Sequence, residues 1–183
     1  MNALINVAYF LVDTLFSLYL ILLVVRLLLG LTRADFHNPI SQFIVAATNP
    51  VIVPLRRILP PIGKIDTANV TLLVIFKLIQ SSLLALIRGE NINIAGIFAT
   101  SIIELVLLII YVFIFAIIIQ AVMSWVNPGA HASQNPLIGV VNSITRPVIE
   151  PFSRFIPKMG MFDLSPLAAL LFLNVLLIIV KSF

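Results

Sequence analysis

The sequence predicts an all-α membrane protein: four transmembrane helices in two parallel repeats, each repeat carrying short proline-broken amphipathic helices between its spans. Three observations predict this. First, hydrophobic residues make up 61% of the 183-residue chain and charged residues only 10%, where a soluble domain carries about 25% charged residues. A globule this small has too little interior to hide that apolar surface, so lipid must be the solvent. Second, four apolar stretches meet the requirement of roughly 20 residues for a span. Third, two proline-rich segments, "TNPVIVPLRRILPPIG" at residues 48–63 and "TRPVIEPFSRFIPKMG" at 145–160, repeat one pattern.

Span 1 runs from Leu4 to Leu29. Residues 1–12 hold no Lys or Arg and no small-residue cleavage site follows, so this is a retained span and not a cleaved signal peptide. Span 2 runs from Ala68 to Ile87, span 3 from Ala95 to Trp125 and span 4 from Leu164 to Val180. Span 3 exceeds a bilayer's thickness and is expected to tilt or to project into the interface. Only "RGENIN", residues 88–93, joins spans 2 and 3, which makes them a tight antiparallel hairpin.

The joins between spans 1 and 2 and between spans 3 and 4 align without a gap at a constant offset of 97, from Asn38 to Asp66, with 11 identities in 29 positions. The matched pairs include Asn38 with Asn135, Pro39 with Pro136, Pro50 with Pro147, Pro54 with Pro151, Arg57 with Arg154, Pro60 with Pro157 and Asp66 with Asp163. Such self-similarity marks an internal repeat. The halves are residues 1–89 and 90–183 of one membrane domain, each a span, a proline-rich segment and a span. Two spans per half is an even number, so both halves enter the membrane the same way round, as parallel repeats do.

Within each join, Asn38 before Pro39 is an N-cap followed by proline at the first helical position, and Asn135 with Pro136 repeats it. Pro50 is expected to end that helix, because the residue before proline is pushed out of the α region. Pro54 kinks a second short piece, and Pro60 with Pro61 stops it. The prolines thus cut an apolar sequence into pieces too short to span. Two placements suit the pieces: flat in the interface, or re-entrant with protein covering the freed carbonyls. Arg33, Arg56, Arg57, Lys64, Arg146, Arg154 and Lys158 lie in these joins, against Arg88 and Lys181 opposite. The positive-inside rule then puts the joins in the cytoplasm and both termini outside.

Tandem NP-x10-P-x3-P-x2-R-x2-P segments between paired spans resemble the YggT family, also called YlmG-like, of bacterial and plastid membrane proteins. The resemblance covers both repeats and nearly the whole chain. It implies an integral protein of the bacterial inner membrane with no established enzymatic reaction, in a family linked to cell division, to osmotic or ion tolerance and to cytochrome b6 maturation. Two departures stand out: Arg146 where the first repeat has Asn49, and Ser153 where it has Arg56.

The chemistry-bearing candidates are few. There is no cysteine, which excludes disulfides and thiolate sites, and no phosphate loop, nucleophile–base pair or metal motif is visible. No cofactor and no nucleic-acid partner is expected; the net charge of +4 suits anionic lipid. Arg57 and Arg154 are either snorkelling cations or holders of lipid or a partner. Asp66 and Asp163 precede apolar runs as N-caps of spans 2 and 4. His37 and His131, offset by 94, read as loop residues. Asp13, Lys77 and Glu104 sit inside spans, where ionisable groups are functional by default. Lys77 and Glu104 are equidistant from the hairpin turn and read as a buried ion pair; the alternative is an ion or proton path that also uses Asp13. The expected function is a non-enzymatic scaffold or assembly factor engaging anionic lipid and a membrane-protein partner or a second copy. The alternative is an ion-transport role.

Overall fold

The structure, a computed structural model, describes residues 3–90, 93–126, 135–155 and 163–182. It is all-helical: α1 (Ala3–Leu31), α2 (Pro39–Arg56), α3 (Thr67–Arg88), α4 (Ile94–Val126), α5 (Pro136–Phe155) and α6 (Ser165–Lys181). Helices α1, α3 and α4 are long and apolar enough to cross a membrane, whereas α6 is equally apolar but only 17 residues long. At about 1.5 Å per residue, α1 and α4 reach about 43 and 50 Å. Both exceed a hydrocarbon core of about 30 Å.

The ends of the helices follow from local chemistry. Asn38 caps α2, its side chain accepting from the Ile40 N–H, and Asn135 accepts from the Leu137 N–H at 3.0 Å in the same way. Asp66 caps α3 by accepting from the Asn69 N–H. Asp163 departs from the expected parallel: it accepts from the Ser165 N–H at 2.8 Å from one residue before the capping position, Leu164. Past α3, Gly89 takes φ +70°, and the Glu90 N–H reaches back to the Ala85 carbonyl at 3.0 Å. This is the left-handed helix stop that glycine permits.

The expected break at Pro50 is corrected by the structure. Helix α2 runs unbroken through Pro50 and Pro54, and α5 through Pro147 and Pro151. Among the described residues there is one amphipathic helix per join, not two pieces. Each proline costs a backbone donor, but packing against neighbouring helices outweighs that cost, and side chains supply donors nearby. Thr48 Oγ1 donates to the Ile44 carbonyl at 2.6 Å and Thr145 Oγ1 to the Val141 carbonyl at 2.9 Å. Helix α2 ends at Arg56, ahead of Pro60 and Pro61. Pro157, Lys158, Gly160 and His131 lie outside the described residues.

Helix α1 packs along α3, α4 along α6, and α3 meets α4 across the middle of the molecule. Helix α2 lies over α1 and α3, α5 over α4 and α6, and α2 touches α5. Asn38 Nδ2 donates to the Pro136 carbonyl at 2.7 Å at that junction. The packing is not evenly twofold: among the described residues α6 makes no contact with α1, although its counterpart α3 packs on α4. One buried cluster joins α1, α2, α3, α4 and α5 around Leu23, Ile44, Ile52, Leu72 and Val140, and a smaller one serves α4, α5 and α6 around Ile117, Ile149 and Ala169.

Candidate functional site

Polar chemistry gathers at two places. The first is deep in the bundle. Lys77 on α3 places Nζ 2.6 Å from Glu104 Oε2 on α4. It also donates to Gln80 Oε1 at 2.9 Å. The fully buried Gln80 amide in turn donates to Asp13 Oδ1 at 2.9 Å, to the Asp13 carbonyl at 3.2 Å and to Ser17 Oγ at 3.0 Å. The structure therefore brings all three predicted intramembrane charges into one series, with Asp13 joined through Gln80 and not by direct contact. The Lys77 side chain is only 13% exposed, while Glu104 is 52% exposed and faces outward from α4.

Sequence reasoning passed over Gln80 because it is neutral, although a glutamine one turn from a lysine inside an apolar run signals a partner. It also passed over Arg26, an arginine well within α1. Arg26 is 6% exposed. Its Nη1 donates to the Val45 carbonyl at 3.2 Å and to Thr48 Oγ1, and its Nη2 donates to Asn49 Oδ1 at 2.8 Å. The guanidinium thus clamps α1 to α2 beside the proline at position 50, where the helix has lost a backbone bond.

This second cluster extends outward. Arg56 Nη2 lies 2.5 Å from Asp66 Oδ2, tying the end of α2 to the cap of α3. A cavity of about 590 Å³ opens between α1, α2 and the connection to α3, with Arg26, Asn49, Arg56, Lys64 and Asp66 on its wall. Ile62 and Ile65 exchange backbone hydrogen bonds at 3.0 Å around Gly63 and Lys64, with Gly63 at φ +61°. A positive φ at the first central position alone is the type II′ turn, which needs glycine there, and it carries Lys64 to the cavity.

Arg57 and Arg154, matched by the repeat, have separate settings. Arg57 is exposed at the end of α2. Arg154 donates to Glu150 at 3.0 Å one turn back, and Arg146 approaches the same carboxylate at 3.5 Å. The hydrogen bond from Arg154, with the charge of Arg146, holds the Glu150 carboxyl below its ordinary range. His37 is an exposed loop residue 3.3 Å from Asp35. At the far end of the bundle Arg88 stacks over the Tyr9 ring at 4.2 Å and Lys181 lies 5.6 Å from the Tyr111 ring, as cations do on aromatic faces.

A helical membrane-type bundle of two like halves, each with a proline-bearing amphipathic helix laid over long apolar ones, is the class this fold and site define. The chain belongs to the CCB3/YggT family, whose model matches residues 5–87 and again 99–183. It is 41% identical to the uncharacterized protein PA0392 of Pseudomonas aeruginosa over 92% of this chain and 85% of that one. Identity is 38% to an uncharacterized protein of the proC 3′ region of Vibrio alginolyticus, covering 88% of this chain and 86% of that protein. It is 33% to the uncharacterized protein YggT of Escherichia coli K12, covering 93% and 87%. No solved structure matches the chain significantly.

Proposed function

We propose that the chain is a non-enzymatic scaffold or assembly factor of the bacterial inner membrane. In this reading α1, α3, α4 and α6 all cross the bilayer, both termini are extracytoplasmic, and α2 and α5 form a platform at the cytoplasmic interface that engages anionic lipid and a membrane-protein partner. The observation that carries it is the platform itself. Helices α2 and α5 meet at one end of the bundle, joined by Asn38 and Pro136, and expose Phe43, Val53, Arg57, Arg154 and Phe155. Large apolar side chains beside cations suit a headgroup layer and a docking partner alike.

The test is photo-crosslinking in native membranes from Phe43 and Phe155, with Val175 on α6 as the lipid-facing control. The same protein captured from both platform positions and not from Val175 supports the reading; adducts only to lipid at all three positions refute the partner. A second reading has its own observation: the unbroken hydrogen-bonded series Glu104–Lys77–Gln80–Asp13 resembles a path for ions or protons. Movement of K⁺, Na⁺ or H⁺ by the purified protein in liposomes, lost on Lys77→Met, selects that reading over the scaffold.

A further inference from the structure

Among the described residues, the wall of the cavity beside Arg26 carries more positive than negative charge. Arg26, Arg56 and Lys64 bring three positive charges to its wall and Asp66 one negative charge, a net of +2. Asp66 is already engaged by Arg56 at 2.5 Å. Among the described residues, neither Arg26 nor Lys64 has a carboxylate within ion-pair distance. Arg26 directs three of its N–H groups to Val45, Thr48 and Asn49, all neutral acceptors. Of the five donors a guanidinium holds, the Nε–H and one Nη2–H have no acceptor among the described residues. A buried cation with idle donors, facing a cavity ringed by two more cations, is arranged for an anion.

The shape narrows the anion. A fork of guanidinium donors with added point charges is the geometry that recognises phosphate. At about 590 Å³ the cavity is far larger than a free phosphate ion, and Leu27, Phe36, Val53 and Ile65 give the same cavity an apolar wall. Arg26 lies five residues before the end of α1, about 8 Å along the axis, which is headgroup depth for a helix that overruns the hydrocarbon. We propose that this cavity is a binding site for the headgroup phosphate of an acidic glycerophospholipid, with Arg26 and Lys64 as the principal phosphate ligands and Arg56 held in reserve by Asp66.

The second repeat does not repeat this set of cations: at the matched positions it carries Gln120, Ser153 and Met161, while Arg146 stands in place of Asn49 and Lys158 in place of Pro61. The site rests on the scaffold reading only in placing this end of the bundle among headgroups.

The test uses the full chain in a neutral detergent, where no bilayer surface is present, with native mass spectrometry of retained phosphatidylglycerol against phosphatidylcholine. The wild type should retain phosphatidylglycerol preferentially. Lys64→Met and Arg56→Ser, both on exposed side chains, should each lower that preference about fivefold, the worth of one cation near a lipid phosphate. Arg33→Ser, removing an exposed cation that does not line the cavity, should leave it unchanged. Equal losses for Arg33→Ser and Lys64→Met would mean diffuse attraction and overturn the site. Preference that survives Lys64→Met, or displacement of the lipid by millimolar inorganic phosphate, would also overturn it, the latter assigning the cavity to a soluble phosphate. None of these results bears on the crosslinking from Phe43 and Phe155, so the site and the scaffold fail separately.

Discussion

Two contacts between corresponding helices show how the repeats diverge. In the first half Arg26 of α1 holds Thr48 of α2; in the second, Gln120 of α4 accepts from Thr145 of α5 at 2.5 Å. Both threonines also donate back to the helix carbonyl four residues earlier, so the frame is common. The difference is the charge and the number of bonds: among the described residues, a cation with three protein acceptors in one half and a neutral amide bound to one threonine in the other. The deep cluster follows suit. Asp13, Lys77 and Gln80 correspond to Leu107, Asn174 and Leu177, and Asn174 merely bonds its own helix at Leu170. The first half carries most of the polar chemistry, and the second contributes Glu104 to it.

The comparison can be broken experimentally, and the largest effect is expected at Arg26. Arg26→Ala removes three hydrogen bonds from a charged donor, and Gln120→Ala removes one, so losses of about 3 and about 1 kcal/mol are expected in denaturant unfolding followed by circular dichroism. Arg26→Gln should recover part of the loss by copying the second repeat. Equal losses at positions 26 and 120 would erase the distinction between the halves. Next comes the pair on α3 and α4. Lys77→Met and Glu104→Gln should each destabilise, and the double variant should lose less than the sum, with a coupling of about 1–3 kcal/mol. Coupling near zero would mean that the 2.6 Å contact contributes nothing, and Asn174 would then be an adequate substitute for Lys77.

Smaller effects sharpen the contrast at the helix ends. Gly89 closes α3 at φ +70°, while α6 ends at Ser182 with φ −82°. Gly89→Ala should cost about 1 kcal/mol, measured by the same unfolding transition, and Ser182→Ala almost nothing. The smallest effect belongs to Glu150. The hydrogen bond from Arg154 and the charge of Arg146 hold its folded carboxyl below the ordinary glutamate range. The stability it adds is therefore complete above its unfolded pKa and disappears as pH falls through the lower folded one. Glu150→Gln should flatten the slope of stability with pH below about 4.5; a slope identical to wild type would show that the two arginines do not act on it.

The apolar runs, the hairpin between spans 2 and 3 and the caps at Asn38, Asn135 and Asp66 were legible because each is a local signal. The Lys77–Glu104 approach was legible from equal distances to a short turn. Continuity of α2 through Pro50 was not, since a local rule about the residue before proline cannot weigh the burial of Ile44, Thr48 and Ile52 against α1 and α3. Arg26 was missed for a different reason. The offset of 97 that aligns the joins fails upstream, where the second join is three residues longer and the offset becomes 94. Under that shift Leu23 meets Ile117, both fully buried, and Arg26 meets Gln120. The two histidines already carry the offset of 94. Gln80 was hidden by its neutrality, and only the fold brings Asp13 to it.

The short turn at Gly89 bears on how the chain gets into a bilayer at all. A lysine or glutamate carried alone into the middle of a membrane costs about 2.5–3.5 kcal/mol on insertion scales. In the proposed topology helices α3 and α4, separated by only the residues between Arg88 and Ile94, would enter as one hairpin. Lys77 would then cross with Glu104 alongside, the pair carrying no net charge through the hydrocarbon. A glycine that looks like a detail of helix termination would thereby couple two insertion events into one. Lengthening that turn with a flexible linker would uncouple them, leaving each helix to be inserted with its own unaccompanied charge.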